Sequence, residues 1–354
     1  MSAPRWVAAF EALGIADRPL VGGKGASLGE LSAAAVNVPP GFVVTTEGFN
    51  AFVAAIDLDG EIRRTVESLD PDDLVSISQA CERIRERLET ALMPPALERA
   101  IASAYEVLGG TVAVRSSATS EDSAEASFAG LQDTYLWISG TPNVLHFVRA
   151  CWASLYSVES VVYRLRRRLP EEGLAMGVVV QRMVNSRVSG VMFTRSPTTG
   201  DRSVIAIEAS WGLGSAIVSG EVTPDKAVVA KVTDEILSQV VSHKTVMHVP
   251  SDDADAGGGT REMAVPEAQR DVPCLSSEML AALARLGKGI ERHYGCPQDI
   301  EWAIGPGREG KEEIFLLQSR PETIWAARDA KPVATTATRA FNHVFAVLGR
   351  KGGR

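Results

Sequence analysis

The feature that most constrains the fold is a change of periodicity near the middle of the chain. Before about residue 175 the apolar residues recur mostly at helical spacing. A helix is expected from Gly23–Lys24 through LGELSAAAV, with Leu28, Leu31 and Ala35 on one face, and helical runs follow from Asp72 to Leu108, broken at Pro94-Pro95, and from Pro142 to Leu169. The short strands GFVVTT and TVAVRSS interrupt them. Beyond residue 175 the pattern turns strand-like, in AMGVVVQRMV, SGVMFT, SVIAIEA, KAVVAKVT and IEWAI, with one strong helix near 277–294. This order predicts an α+β fold with a helix-rich lobe over about 1–195, a strand-rich lobe over about 196–326 and a cleft between them. Pro250 to Pro273 lacks apolar periodicity and reads as a surface loop.

Composition narrows the class. At 354 residues and 45% hydrophobic content the chain can bury a large core. No stretch approaches the roughly 18 apolar residues of a membrane span, and Glu11 and Asp17 interrupt any secretory segment. A cytoplasmic protein without membrane contact is expected. The net charge of −8 argues against a nucleic-acid surface. Residues 326–354 form a separate unit with six basic residues and one acid, leaving −13 on the body. There Phe341, Val344, Phe345 and Leu348 are spaced as the apolar stripe of a docking helix, or belong to a solvated tail. Cys81, Cys151, Cys274 and Cys296 are far apart and read as reduced thiols.

Polar motifs carry the chemistry. Gly22-Gly23-Lys24-Gly25 is neither a Walker loop nor a GxGxxG turn. Its glycines would let backbone amides approach a phosphate at a helix N-terminus while Lys24 adds charge, or it is a capping turn with a solvated lysine. Arg115 closes the apolar run VAVR, where a guanidinium can grip phosphate oxygens or pair with Glu121 or Asp122. Gly130 in SFAGLQDTY offers a loop that could fold over a ligand, or an ordinary turn. VVVQRMV places Gln181 beside Val180, Met183 and Val184, which suits a flat base, or a buried strand. Glu208 precedes Gly212 and Gly214 and could serve a ribose hydroxyl or cap a turn.

Glu301 in DIEWAI and Gln318 in EIFLLQ point into one space if their strands are neighbours, offering oxygen ligands to Mg²⁺ while Arg320 faces a terminal phosphate, or the two strands form only a structural hairpin. None of His146, His243, His248, His293 and His343 lies in a loop that would present a phosphoryl carrier.

In this order the motifs VGGKGASLGEL, VPPGFVVTT, VRSSATSED, SFAGLQDTY, SGVMFTRSPTTG, IEASWGLGSAIVSGEVTPD, HYGCPQDIEWA and LLQSRPET resemble the N-terminal nucleotide-binding domain of the phosphoenolpyruvate synthase and pyruvate phosphate dikinase family, which also includes rifampin phosphotransferase and phenylphosphate synthase. The resemblance covers roughly residues 17–325. It implies an ATP-grasp type fold in which two lobes hold Mg-ATP. It further implies that Lys24 and Arg115 contact phosphates, with Thr134 and the Gly130 loop over them, that Gln181 to Val184 form the adenine edge, that Glu301 and Gln318 bind magnesium, and that Arg320 stabilises the transferring group.

Full-length relatives continue into a domain whose histidine accepts the phosphate. For this sequence the resemblance therefore implies a phosphohistidine carrier subunit or domain on a separate chain, with ATP cleaved to AMP. The rival readings are a nucleotide sensor that holds ATP without transferring it, and a direct small-molecule kinase that yields ADP.

Overall fold

The computed structural model describes residues 5–119, 122–123, 126–127, 133–251, 259–307 and 310–329. The first half contains β1 (Val7–Ala9), α1 (Arg18–Ala33), β2 (Gly41–Val44), α2 (Thr46–Ile56), α3 (Glu61–Glu67), α4 (Leu74–Thr90), α5 (Pro95–Leu108) and β3 (Val112–Ala118). The short pair β4 (Asp122–Ser123) and β5 (Ala126–Ser127) follows, then β6 (Thr134–Ile138), α6 (Thr141–Ala153), α7 (Val158–Arg167) and β7 (Met176–Arg182). The second half contains β8 (Val188–Phe193), β9 (Val204–Trp211), α8 (Ser215–Val218), β10 (Asp225–Ala230), β11 (Ile236–Val240), β12 (Val246–Pro250), β13 (Thr260–Ala264), α9 (Ser277–Tyr294), β14 (Gln298–Pro306), β15 (Glu312–Pro321) and α10 (Ile324–Asp329).

The architecture is α+β. Two antiparallel sheets dominate it: five strands in the order β1-β2-β7-β3-β6 and six in the order β11-β10-β9-β8-β14-β15. The chain passes from the first sheet to the second between Arg182 and Val188, ahead of the position near 195 expected from sequence. The apolar run of β7 is buried on both faces, as a covered central strand requires. Helices α2 and α4 to α7 cover the first sheet, around a core in which Trp152 stacks on Phe52 at 4.9 Å. Helix α9 covers the second, its Leu280, Leu283 and Ile290 joining a core with Met192, Ile205 and Trp302.

Helix α1 joins a third core to the second: Val21, Ala26 and Leu28 pack with Val43 and Val179 of the first sheet, in a cluster separate from that of Trp152, whereas Leu31 packs with the second sheet's residues. It begins five residues earlier than the sequence predicts and breaks at Gly22, whose φ of 73° and ψ of 176° are non-helical. Ala35 lies beyond the helix, exposed and left-handed at φ 56°, because the chain turns there toward β2.

Two further expectations are corrected. The single helix predicted over Pro142 to Leu169 is two, since Ser157 takes an extended conformation and its hydroxyl accepts the Ser160 N–H to cap α7. The last turn of α7 carries Arg164, Arg166 and Arg167, and Arg164 is buried there, donating to Glu171 and to the Leu155 carbonyl. The stretch Pro250 to Pro273 contains β13, which pairs with β12; an isolated two-stranded ribbon with half-exposed faces carries too few apolar residues to stand out in sequence.

Residues 322–354 separate as a second unit. Its described part is α10, where the Glu322 carboxylate accepts the Trp325 N–H at 2.7 Å. Gly130 and the stripe Phe341, Val344, Phe345 and Leu348 lie outside the described residues. Among the described residues no helix is long and apolar enough to cross a membrane.

Candidate functional site

A cleft of about 480 Å³ opens within the first unit, walled by both large sheets. The first sheet contributes Ala113 and Arg115 of β3, Thr134 and Leu136 of β6 and Gln181 of β7; the second contributes Ser189 and Val191 of β8, Glu301 and Ala303 of β14 and Gln318 and Arg320 of β15. Lys24 of α1, Met183 and Val184, and the turn Leu213-Gly214-Ser215 complete the wall.

The cross-strand register explains why these side chains meet. Residues paired across an antiparallel ladder share a face. Glu301 pairs with Val191 on one side and Gln318 on the other, so the carboxylate and the amide stand side by side on the cleft face. The neighbouring-strand pairing on which their joint role depends is therefore present. Past this pair the register shifts, Trp302 lying opposite Leu316, so Leu317 is the extra residue of a β-bulge. Its carbonyl accepts Arg115 Nη1 at 3.3 Å.

Arg115 is the hub of the site. Its Nη2 donates to Glu301 Oε2 at 3.0 Å and to Gln318 Oε1 at 2.6 Å, joining a strand of one sheet to a hairpin of the other. The side chain is about nine-tenths buried, and its Nε has no hydrogen-bond partner among the described residues. Leaving a buried donor unmade costs about 1–3 kcal/mol, so the guanidinium has capacity for another acceptor. Arg115 thus pairs with Glu301, whereas the alternative considered from sequence, a salt bridge to Glu121 or Asp122, lies outside the described side chains.

Lys24 reaches the cleft because α1 restarts after Gly22. Ser117 of β3 fixes this restart: its Oγ donates to the Val21 carbonyl at 2.8 Å and accepts the Gly25 N–H at 3.1 Å. Gly22 must be glycine, since a Cβ there would sit 2.0 Å from the Ser117 carbonyl oxygen. Three residues after Lys24, Ser27 Oγ donates to the carbonyl of Ser319, between Gln318 and Arg320. Arg320 is half exposed and pairs through Nε with Asp299, its cross-strand neighbour, at 3.4 Å.

At the opposite end the wall becomes apolar, with Met183, Val184, Leu213 and Ile217. Gln181 is buried and its amide donates to the Pro39 carbonyl at 3.4 Å. The Met183 N–H is held by the Thr111 carbonyl. Glu208 pairs with Val191 and so stands on the face of Glu301, outside the lining residues, and its carboxylate pairs with Lys226 at 3.1 Å.

Sequence reasoning missed Ser186, Ser189 and Ser215. The first two donate to the Gly212 carbonyl, at 2.9 and 2.7 Å, and so hold the glycine turn. The signal was present in the hydroxyl residues flanking Gly212-Leu213-Gly214, but only the fold shows what they face.

Glu301 and Gln318 supply one carboxylate and one amide oxygen, both within hydrogen-bond reach of a single cationic nitrogen. Among the described residues no three His, Cys, Asp or Glu side chains gather as a metal cage. This donor set fits a magnesium ion that keeps most of its coordination for water and phosphate oxygens.

The geometry of a cleft with a cationic, oxygen-lined end and an apolar end agrees with comparisons to known proteins. The family model described as pyruvate phosphate dikinase, AMP/ATP-binding domain, matches residues 18–340, and the chain belongs to that family. It is 41% identical over 344 residues to the "Probable phosphoenolpyruvate synthase" of Staphylothermus marinus, covering 90% of this chain and 41% of that protein. To the phosphoenolpyruvate synthase of Aeropyrum pernix it is 42% identical, covering 89% of this chain and 42% of that protein. To a rifampicin phosphotransferase of a Streptomyces species it is 40% identical, over 88% and 35%. The chain thus spans less than half the length of these relatives. It is an ATP-binding domain of a phosphotransferase family.

Proposed function

We propose that this chain binds Mg-ATP in the cleft, in the manner of an ATP-grasp fold with two lobes, and cleaves it to AMP, passing a phosphoryl group to a histidine on a separate partner. The observation that carries the reading is Arg115, which spans both sheets on the oxygens of Glu301 and Gln318 while its buried Nε is left without an acceptor. With nucleotide bound, those two oxygens would hold magnesium, and Arg115 would turn its donors to phosphate. Magnesium would supply neutralisation of the phosphate charge.

The chain's own residues do the rest. Lys24, Arg115 and Arg320 converge from α1, β3 and β15 to place the phosphates and balance charge as it moves, which is most of what phosphoryl transfer demands. Thr134 lies opposite Arg115 in register and supports the same oxygens. At the apolar end, Met183 and Val184 present a backbone carbonyl and N–H that have no hydrogen-bond partner among the described residues, suited to the edge of adenine.

Calorimetric titration tests the site. ATP is expected to bind more tightly with Mg²⁺ than without, and Glu301→Ala is expected to remove that difference. Binding that is indifferent to Mg²⁺ in the wild-type chain would refute the magnesium assignment, and no binding at all would refute the nucleotide site.

A further inference from the structure

Ser215 opens the short helix α8 on the cleft wall, and its Oγ lies 2.8 Å from His248 Nδ1. The other ring nitrogen, Nε2, lies 2.8 Å from Glu221 Oε2. Hydrogen bonds from His248 and Ser219 hold the Glu221 carboxyl below its ordinary range, so it is an ionised acceptor. A carboxylate can only accept, which places the proton of a neutral imidazole on Nε2. With the imidazole neutral, Nδ1 is an acceptor and the Ser215 hydroxyl donates to it. The serine oxygen is left with its lone pairs for the cleft.

The arrangement is built rather than incidental. The His248 carbonyl accepts the Leu213 N–H at 2.9 Å, so the histidine is tied to the same glycine turn by backbone and by ring. Gly212 permits this approach, since a Cβ there would meet that carbonyl oxygen at 2.4 Å. His248 is mostly buried, its side chain 13% exposed.

Position along the sheet says what the oxygen meets. Glu301 pairs with Val191, and Ala303 pairs with Ser189 on the same face. Ser189 is thus one strand repeat, about 7 Å, from the Glu301 and Gln318 row, on the side nearer Met183 and Val184. The turn lies over Ser189, with a Cβ on Gly214 falling 3.6 Å from its Oγ. This is the level of the sugar in a nucleotide whose phosphates meet Arg115 and whose base meets Met183 and Val184.

We infer that Ser215 accepts a hydrogen bond from a ribose hydroxyl, and that His248 and Glu221 are positioning residues that keep it an acceptor. The inference rests on the nucleotide reading of the cleft and adds selection of ribonucleotides over deoxyribonucleotides.

The test is titration of the full chain with Mg-ATP, 2′-deoxy-ATP and 3′-deoxy-ATP. One hydrogen bond is worth about three- to tenfold in affinity, so at least one deoxy analogue is expected to bind that much more weakly than ATP. Ser215→Ala is expected to bring the ratio near one, Ser215→Thr to keep it, and His248→Ala to reduce it while the hydroxyl remains. Thermal midpoints confirm that each variant is folded. A ratio unmoved by Ser215→Ala, with ATP still bound, overturns this inference alone. Failure of the wild-type chain to bind ATP overturns it together with the nucleotide site.

Discussion

Replacing Gly22 by alanine tests how α1 is seated, because its cost separates into two parts. The backbone part comes from a φ of 73° with ψ of 176°, a region that is essentially glycine's own and costs another residue about 1–3 kcal/mol. The packing part comes from a Cβ placed 2.0 Å from the Ser117 oxygen and 2.5 Å from its carbonyl carbon, both backbone atoms of β3. That strand lies between β7 and β6 and cannot yield, so α1 must move. Moving it stretches the two hydrogen bonds of Ser117 to Val21 and Gly25, each worth about 1 kcal/mol. The expected loss is about 4 kcal/mol, or about 6 °C in melting midpoint for a unit of this size.

Gly109 is the control. It has nearly the same conformation, φ 64° and ψ 171°, with nothing within 4 Å of a Cβ. Gly109→Ala is expected to cost only the backbone part, about 2 kcal/mol and about 3 °C. Calorimetric melting compares the two, and ATP titration should find weaker binding only in Gly22→Ala, where Lys24 is displaced. Equal melting shifts for both variants, with unchanged ATP affinity, would refute the argument that Ser117 seats the lysine.

Lys244 is fully buried on Asp225, which also accepts the Ser242 and Cys274 N–H groups at 2.9 and 2.8 Å. Lys244→Met should therefore cost about 3–5 kcal/mol in denaturant unfolding by stranding the carboxylate. The Glu30 carboxyl is held below its ordinary range by the Ile15 N–H and by His293. Its contribution is thus present above the unfolded carboxylate range and lost as pH falls through the folded value. Glu30→Gln should be less stable than wild type near neutrality and equal to it in strong acid, as read from melting at both pH values. Burial pushes the Cys81 thiol up to about 11 and raises Cys151 and Cys274 as well, whereas Cys296 is only half buried. Alkylation of the native chain should label Cys296 first and the other three only after unfolding.

The large elements were legible because their periodicities are strong. Helix α4 ends at Thr90 and α5 begins at Pro95, on either side of the expected break, and α9 covers 277–294 as its apolar spacing predicts. The hairpin of β14 and β15 was legible for a different reason: two apolar runs flank a glycine-rich turn, and their pairing brings Glu301 opposite Gln318. What the sequence hides are the contacts between distant segments. Nothing local in VAVRSS says that Arg115 will pair with Glu301, 186 residues away. The bulge at Leu317 is set by register, which no pattern in EIFLLQ records. Nothing near His248 in sequence shows its place until β12 is seen docked on the Gly212 turn.

The central claim is that the cleft serves transfer to a histidine with AMP as the nucleotide product. The most direct measurement is chromatographic analysis of nucleotides after incubating the chain with Mg-ATP, with and without a candidate histidine phosphocarrier, and with Glu301→Ala as the control. The account expects AMP that depends on the carrier and disappears in Glu301→Ala. ADP formed by the chain alone would contradict it.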